Sequence, residues 1–449
     1  MGTFSELIDN SPDALQPVYR TVHANDPVLL YEGQLKLYLK NACGSGDGKV
    51  FVAWSPTPRV AFEMELEESL DIDLLANDVQ LELVDRWPNE RIGAEIRSAS
   101  MFFAPKPHPI AGAIPSWKHN PHAVVRRVFF HLTNFRSFKG DVIREDRGIR
   151  AGRMSFAFDG WKVTIDDIAQ KDLVKELKAS GGFAITHVGC VERSDGAEFT
   201  AAGAEKMWHG LYWFLSFCNG RWTGPLLLVG FGQTDEVVTH EWEIPRLARY
   251  GAVRSWFSDY CDDVAEQAYP GFAARWASAP WAQAIKSAIY WYIIANAPGG
   301  AVENGIVLTH IAFDTLGWGI FVEDAKTISR SSYDGLGAAE KLRRLLQHCR
   351  IPSDLPQELS ALVASATAEN WGDSPEALAK MRNAYVHPSS TNRERLLRAG
   401  DHAQYQAWVL AMYYLELILL HLFDYQGDFT SRLLGGCYAG EADRPVPWT

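Results

Sequence analysis

The chain lacks a cysteine framework. Its six cysteines (Cys43, Cys190, Cys218, Cys261, Cys349 and Cys437) stand far apart, with no C-x-x-C pair. That spacing suits neither a tetrahedral zinc site nor a disulfide scaffold. A reduced, cytosolic setting is therefore expected, with no metal and no cofactor. An excess of positive charge is also missing. Lys and Arg number 43 against 55 Asp and Glu, a net charge of −12. This excludes a broadly basic, histone-like nucleic-acid binder but leaves room for a local basic groove. The first residues, MGTFSELIDNSPD, carry neither a basic n-region nor an apolar h-region, so no signal peptide is expected. Long apolar runs are scarce. The stretch 407–423, AWVLAMYYLELILLHLF, comes nearest, but it is slightly short for a span and is interrupted by Glu416 and His421. It reads as a buried bundle helix, since core helices are often apolar all round, and no membrane partner is expected. There is no internal repeat and no low-complexity tract.

What is present is an ordinary globular composition, 47% apolar, in 449 residues, enough for two or three domains. The pattern changes near residue 270. Before it, apolar alternation with β-branched and aromatic residues marks strands at 49–54, 60–66, 79–84, 124–132, 154–165, 183–191, 226–231 and 237–242. Asp159-Gly160 and Asp195-Gly196 mark turns. A helix over 201–217 interrupts them, with Thr200 as its N-cap and Gly220 as its stop. After 270 the periodicity is helical: Pro280 to about 295, ended by Pro298-Gly299-Gly300; then 302–322, 336–349, 357–370, a helix opened by Asp373-Ser374-Pro375-Glu376 with Ser374 as cap, and a last helix over 402–425. The predicted fold class is α+β multidomain. A β-rich part, residues 1–270, forms one or two subdomains, and an all-α helical bundle occupies 271–440.

The stretch most suggestive of chemistry closes the helix opened at 373. Arg382-Asn383-Ala384-Tyr385-Val386-His387 is an Arg-x4-His hexad with a polar second residue. Arginine holds a phosphate through two parallel hydrogen bonds, and histidine moves protons near neutral pH. Asn383 and His387, four apart, share a helical face. Leu378, Met381 and Tyr385 supply a buried stripe, and Pro388 ends the helix at His387. Spacing alone is a weak motif, because Arg126–His131 and Arg343–His348 repeat it. The former lies on a strand, where residues five apart face opposite ways; the latter lies on a helix and competes. A solvated helix end is the bland reading of Arg382 and His387. Other motifs fail. Gly44-Ser45-Gly46-Asp47-Gly48-Lys49 lacks the first glycine and the Ser or Thr of a phosphate loop and reads as a hairpin turn. Glu63, Glu65, Glu67 and Glu68 have no partner carboxylate placed across a sugar. Trp161, Trp208, Trp213, Trp222 and Trp242 read as packing residues.

The order of elements, with a helical pair, a helix ending in R-N-x-x-x-H and a long apolar final helix, resembles the HEPN superfamily of helical-bundle ribonucleases over residues 275–435. A β-rich half joined to such a bundle further resembles the ApeA-type proteins of bacterial antiphage defence. This resemblance implies metal-independent endoribonuclease activity on RNA, at a composite site built by a homodimer or higher oligomer, with a phage or cellular protein as the trigger sensed by the N-terminal half. By the same resemblance, Arg382 neutralises the scissile phosphate and His387 transfers a proton. Asn383 orients the histidine or the phosphate. Asp314 is the acidic residue of an earlier helix, with His310 one turn before it. Lys341, Arg343, Arg344, Arg350, Arg393, Arg395 and Arg398 would line an RNA path. The alternatives are a catalytically silent bundle for protein binding or assembly, and a ligand-binding β-domain with a helical dimerisation module.

Overall fold

The computed structural model describes residues 10–67, 78–99, 108–146, 148–168, 171–260, 263–297, 299–434 and 440–449. Glu68, Cys261, Pro298 and Cys437 lie outside them.

The architecture is α+β, with a β-rich half followed by helices. The β-rich half contains two separate sheets. Six strands, β1 (Val28–Tyr38), β2 (Cys43–Ala53), β3 (Arg59–Leu66), β4 (Val79–Leu83), β5 (Ile92–Ala99) and β6 (His108–Ile114), close into an antiparallel barrel in the order β1-β2-β3-β6-β5-β4. The glycine-rich stretch expected to form a turn is instead the first half of β2, paired with β1 and β3; the turn itself spans 39–42. The reason is packing. A Cβ at Gly46 would fall 1.8 Å from the Glu65 carbonyl oxygen, so only glycine lets these strands approach.

The second sheet has eight strands. These are β7 (Trp117–His119), β9 (Arg127–Thr133), β10 (Asp141–Glu145), β11 (Gly148–Phe158), β12 (Trp161–Asp167), β13 (Ile185–Arg193), β15 (Leu226–Phe231) and β16 (Val237–Trp242), in the order β10-β11-β12-β13-β9-β15-β16-β7. The short strands β8 (Val124–Val125) and β14 (Phe199–Thr200) pair beside it. Asp159 and Gly160, both at positive φ, form the tight β11–β12 turn. Alternation gives the sheet two apolar faces. Phe130, Leu132, Phe156 and Val163 share a core with the helices, while Leu227, Val229 and Trp242 pack with the barrel. The sheet is thus sandwiched between barrel and bundle, and the change of pattern near 270 is not a break in the core. Phe156 meets Tyr269 at 4.3 Å between ring centroids.

Helix α1 (Lys171–Ser180) lies between β12 and β13. Helix α2 (Glu205–Asn219) covers the sheet, stopped by left-handed Gly220 as its sequence implied; the Thr200 hydroxyl accepts from Gly203 N–H ahead of it. The bundle comprises α3 (Val264–Ala277), α4 (Ala279–Ala295), α5 (Val302–Trp318), α6 (Arg330–Asp334), α7 (Ala338–His348), α8 (Ser360–Glu369), α9 (Ser374–Val386) and α10 (Ser390–Leu422). Helix α10 starts a dozen residues earlier than periodicity indicated and breaks at Gly400, where φ is 69°. Its second part is the hub of the core and packs against α5, α8 and α9. By length and composition, 302–324 and 390–422 are apolar enough to cross a membrane, and both are mostly buried by protein here. Glu416, which interrupts the apolar run, is fully buried. It accepts from Tyr292 Oη at 2.6 Å and from Arg432 Nε at 2.8 Å, and Arg432 also donates to Asn296 and to the Arg254 carbonyl.

Three buried histidines are held neutral. Burial pushes His131 and His310 down to about 4 and His240 to about 3, with the Arg86 charge adding to the last. His131 uses its bare Nε2 to accept from Tyr19 N–H at 3.0 Å. Their folded values lie below the unfolded one, so the stabilisation they give is complete above about pH 6.5 and fades as pH falls through 4 and then 3. Melting temperature should accordingly drop on acidification below pH 6.5, and His131→Gln should flatten that slope in a pH series by about one proton. An unchanged slope would show that His131 titrates alike in both states.

Candidate active site

The hexad sits on α9, whose start is fixed from two sides. Asp373, not Ser374, is the N-cap: its Oδ1 accepts from Glu376 N–H at 2.8 Å. Ser374 is instead the first helical residue, buried, with its hydroxyl donating to the Asp354 carbonyl. The other oxygen of Asp373 accepts from Arg343 Nε at 2.7 Å. Arg343 is therefore a staple between α7 and the start of α9. Its guanidinium is also bound to Glu340, and the competing hexad Arg343–His348 has no free arginine to offer a phosphate. In the third hexad, Arg126 is exposed in the bend between β8 and β9, while His131 is buried on β9.

Helix α9 packs against α5, α7 and α10. Between α5, α7 and α9 lies a recess of about 250 Å³ that Arg382, His310, Asp314 and Lys341 help to line. Arg382 donates from Nη1 to Asn383 Oδ1 at 2.9 Å, while its Nε is buried without a partner. His310 donates from Nδ1 to the Ile306 carbonyl at 2.9 Å. That bond fixes the tautomer and leaves Nε2 as an acceptor, and it too is buried without a partner. Burial, helped by the Arg382 charge, keeps this imidazole neutral. Asp314 accepts from Lys341 Nζ at 2.7 Å. One recess thus holds a guanidinium with no carboxylate partner, a neutral histidine with a bare nitrogen, and an ion pair.

His387 does not line this recess. It is the C-cap of α9 and exposed, its N–H donating to the Asn383 carbonyl and its own carbonyl accepting from Asn392 Nδ2 at 2.6 Å. Arg382, Asp314 and His310 are brought together, and Asn383 touches Arg382. Asn383's side chain orients the arginine rather than the histidine. The convergence of the two unpartnered nitrogens, on residues 72 positions apart in sequence, has no local signal.

Most of the basic groups near the bundle are engaged. Arg344 pairs with Glu340, Arg395 with Glu369, and Arg398 with Glu369 and Glu394. Arg393 donates to the Pro388 carbonyl. The described residues contain no group of three or more His, Cys, Asp or Glu side chains able to hold a metal ion.

Residues 120–253 match the model of the YopA central domain, and residues 278–442 match that of the YopA C-terminal domain. Along nearly its whole length the chain is similar to YopA. The curated relative is the "SPbeta prophage-derived uncharacterized protein YopA" of Bacillus subtilis (strain 168), 26% identical over 446 residues, which cover 97% of this chain and 98% of that one. No solved structure matches. The YopA C-terminal match contains the recess and the whole hexad. The YopA central match spans the eight-stranded sheet from β8 onward together with α1 and α2, and the barrel lies outside both matches.

Proposed function

We propose that the helical half is a metal-independent endoribonuclease of the HEPN type. The observation that carries this reading is Arg382: while Arg343, Arg344, Arg395 and Arg398 are tied to carboxylates, it keeps an unpartnered Nε and lines one recess with the bare Nε2 of a neutral histidine. A phosphodiester oxygen would satisfy the guanidinium, and the developing charge of cleavage would strengthen that contact. Asn383 holds Arg382 in place. Proton transfer falls to His387, exposed one helical turn beyond, and Asp314 with Lys341 borders the recess. One exposed histidine supplies an acid or a base, whereas cleavage is fastest with both; a homodimer or higher oligomer, in which a second copy of the hexad completes the site, supplies the other. The apolar face of α10 beyond His402 is largely taken up by the core, with Tyr405 left 42% exposed. Ile311 at the recess, Val386 within the hexad and Leu397 early in α10 (81% exposed) are further exposed apolar groups of the helical half. The prophage origin in the relative's name is in keeping with a part in conflict between phage and host, with the β-rich half sensing a phage or cellular protein.

The test is cleavage of RNA by purified full-length protein in EDTA. The expected products end in 2′,3′-cyclic phosphate. Strict magnesium dependence with 3′-hydroxyl ends would place the chemistry elsewhere. Excess His387→Ala subunits, mixed into wild type under exchange conditions, should depress activity beyond simple dilution; a fully active monomer would rule out the shared site. A second reading, a silent bundle for protein binding or assembly, is favoured by the ion pairing of Arg343, Arg344, Arg395 and Arg398, which leaves few cations for an RNA backbone. Lack of cleavage under any of these conditions would select it.

A further inference from the structure

The sheet domain encloses a second recess, of about 240 Å³, bordered by the loop after β9, the end of α1, the end of α2 and residues 250–253. Its most unusual member is Arg221. The residue is 7% exposed; its Nη1 donates to the Gly251 carbonyl at 2.5 Å and its Nη2 to the Asn134 carbonyl at 2.8 Å, and the guanidinium lies 4.9 Å from the centroid of the Tyr250 ring. Its Nε has no partner, and among the described residues no carboxylate pairs with it. A buried charge without a counter-charge is costly to hold. Burial pushes this guanidinium down to about 10, and the charge of Arg136 acts in the same direction.

Arg136 lines the same recess. Its Nη1 donates to the Phe257 carbonyl, and its Nε stands 3.0 Å from Asp259 Oδ1 but outside hydrogen-bonding geometry. Lys178, exposed near the end of α1, adds a third cation. Against these three, the recess lining holds a single acid, Asp259, which leaves an excess of two positive charges. Asn219, 2% exposed, contributes an unpartnered Oδ1 able to accept from a ligand hydroxyl.

We propose that this recess binds a dianionic phosphate group, free or carried as the monoester of a small metabolite. Two guanidiniums and an ammonium, less the Asp259 carboxylate, match such a dianion in charge. The planar fork of Arg221 is oriented by two carbonyls, which take up two of its five N–H groups, and its Nε–H is left as an unpartnered, pre-oriented donor. The proposal is independent of RNA cleavage, because no residue of the hexad or its recess takes part.

The test is thermal unfolding and calorimetric titration of the full chain with inorganic phosphate, adenosine 5′-monophosphate and acetate at matched ionic strength. Phosphate, the nucleotide or both should raise the melting temperature saturably, as a ligand of the native state does, and acetate should not. A response to phosphate alone identifies a free-ion site, and tighter binding of the nucleotide a monoester site. Arg136→Gln and Lys178→Gln should each weaken binding by roughly tenfold. If Arg136→Gln fails to fold, the Lys178→Gln titration decides, since that side chain is exposed. No saturable response to either phosphate compound, an equal response to acetate, or undiminished binding by Lys178→Gln would overturn the assignment.

Discussion

Arg382→Ala protein should cleave RNA at least 10²–10³-fold more slowly than wild type, the range for losing one group that stabilises transition-state charge, while melting close to the wild-type temperature. The near-constant stability follows from the contacts. Among the described residues, Arg382 makes one side-chain hydrogen bond, to its neighbour Asn383, and no ion pair. Such a bond contributes about 1 kcal/mol net, and removing the guanidinium also removes a buried donor that has no partner. His387→Ala should lose cleavage with even less effect on folding, since the ring is exposed at a helix end. His348→Ala is the control and should stay active, because the arginine of its hexad is committed to Asp373 and Glu340. Full activity in Arg382→Ala, or loss of activity only in His348→Ala, would end the hexad assignment. His310→Gln separates two roles for the recess. If its bare nitrogen takes a proton during cleavage, rate falls at constant RNA affinity; if it only packs, both stay as they are.

Glu416→Ala should be the most damaging single change to stability. It would leave Arg432, 3% exposed, without its carboxylate, and Tyr292 without its acceptor. Breaking a buried pair from one side costs about 3–5 kcal/mol, whereas replacing both partners by apolar groups of similar volume is far milder. Glu416→Leu combined with Arg432→Met should therefore unfold at a higher denaturant concentration than either single change. Additive losses would show that the two residues contribute independently rather than as a pair, and an undisturbed Glu416→Ala protein would show that the site reaches solvent. The linkage also explains the chain's last stretch. Arg432 joins the carboxyl-terminal segment to α10 and to the Arg254 carbonyl, and β17 (Asp428–Thr430) pairs with β18 (Asp443–Pro445) on either side of it.

Period and punctuation carried much of the architecture. Stretches such as VVRRVFFHL and FAITHVGCV became central strands, buried on both faces because the sheet lies between barrel and bundle. The Pro280 start and the Gly220 stop became helix ends because proline and glycine act locally. Helices α1 and α3 carry no comparable signal. The polar α1 buries only Leu173 and Leu177, and α3 has Pro270 within it. The first strand of the barrel is equally silent, because YEGQLKLY alternates only once its partners are known.

What the sequence determined by itself was the α+β order, the change of period near 270, and the position of Arg382, Asn383 and His387 at a helix end, all set by neighbours within a few residues. Tertiary structure alone decided the rest. It closed the barrel through glycines that read as a turn, because close approach depends on the facing strand. It buried Glu416 against Arg432, committed Arg343 to the cap of α9, and turned Arg382 toward His310 while leaving His387 exposed. Each of these is a pairing between residues many positions apart, and which charge meets which partner depends on helix packing, a property that no window of sequence contains.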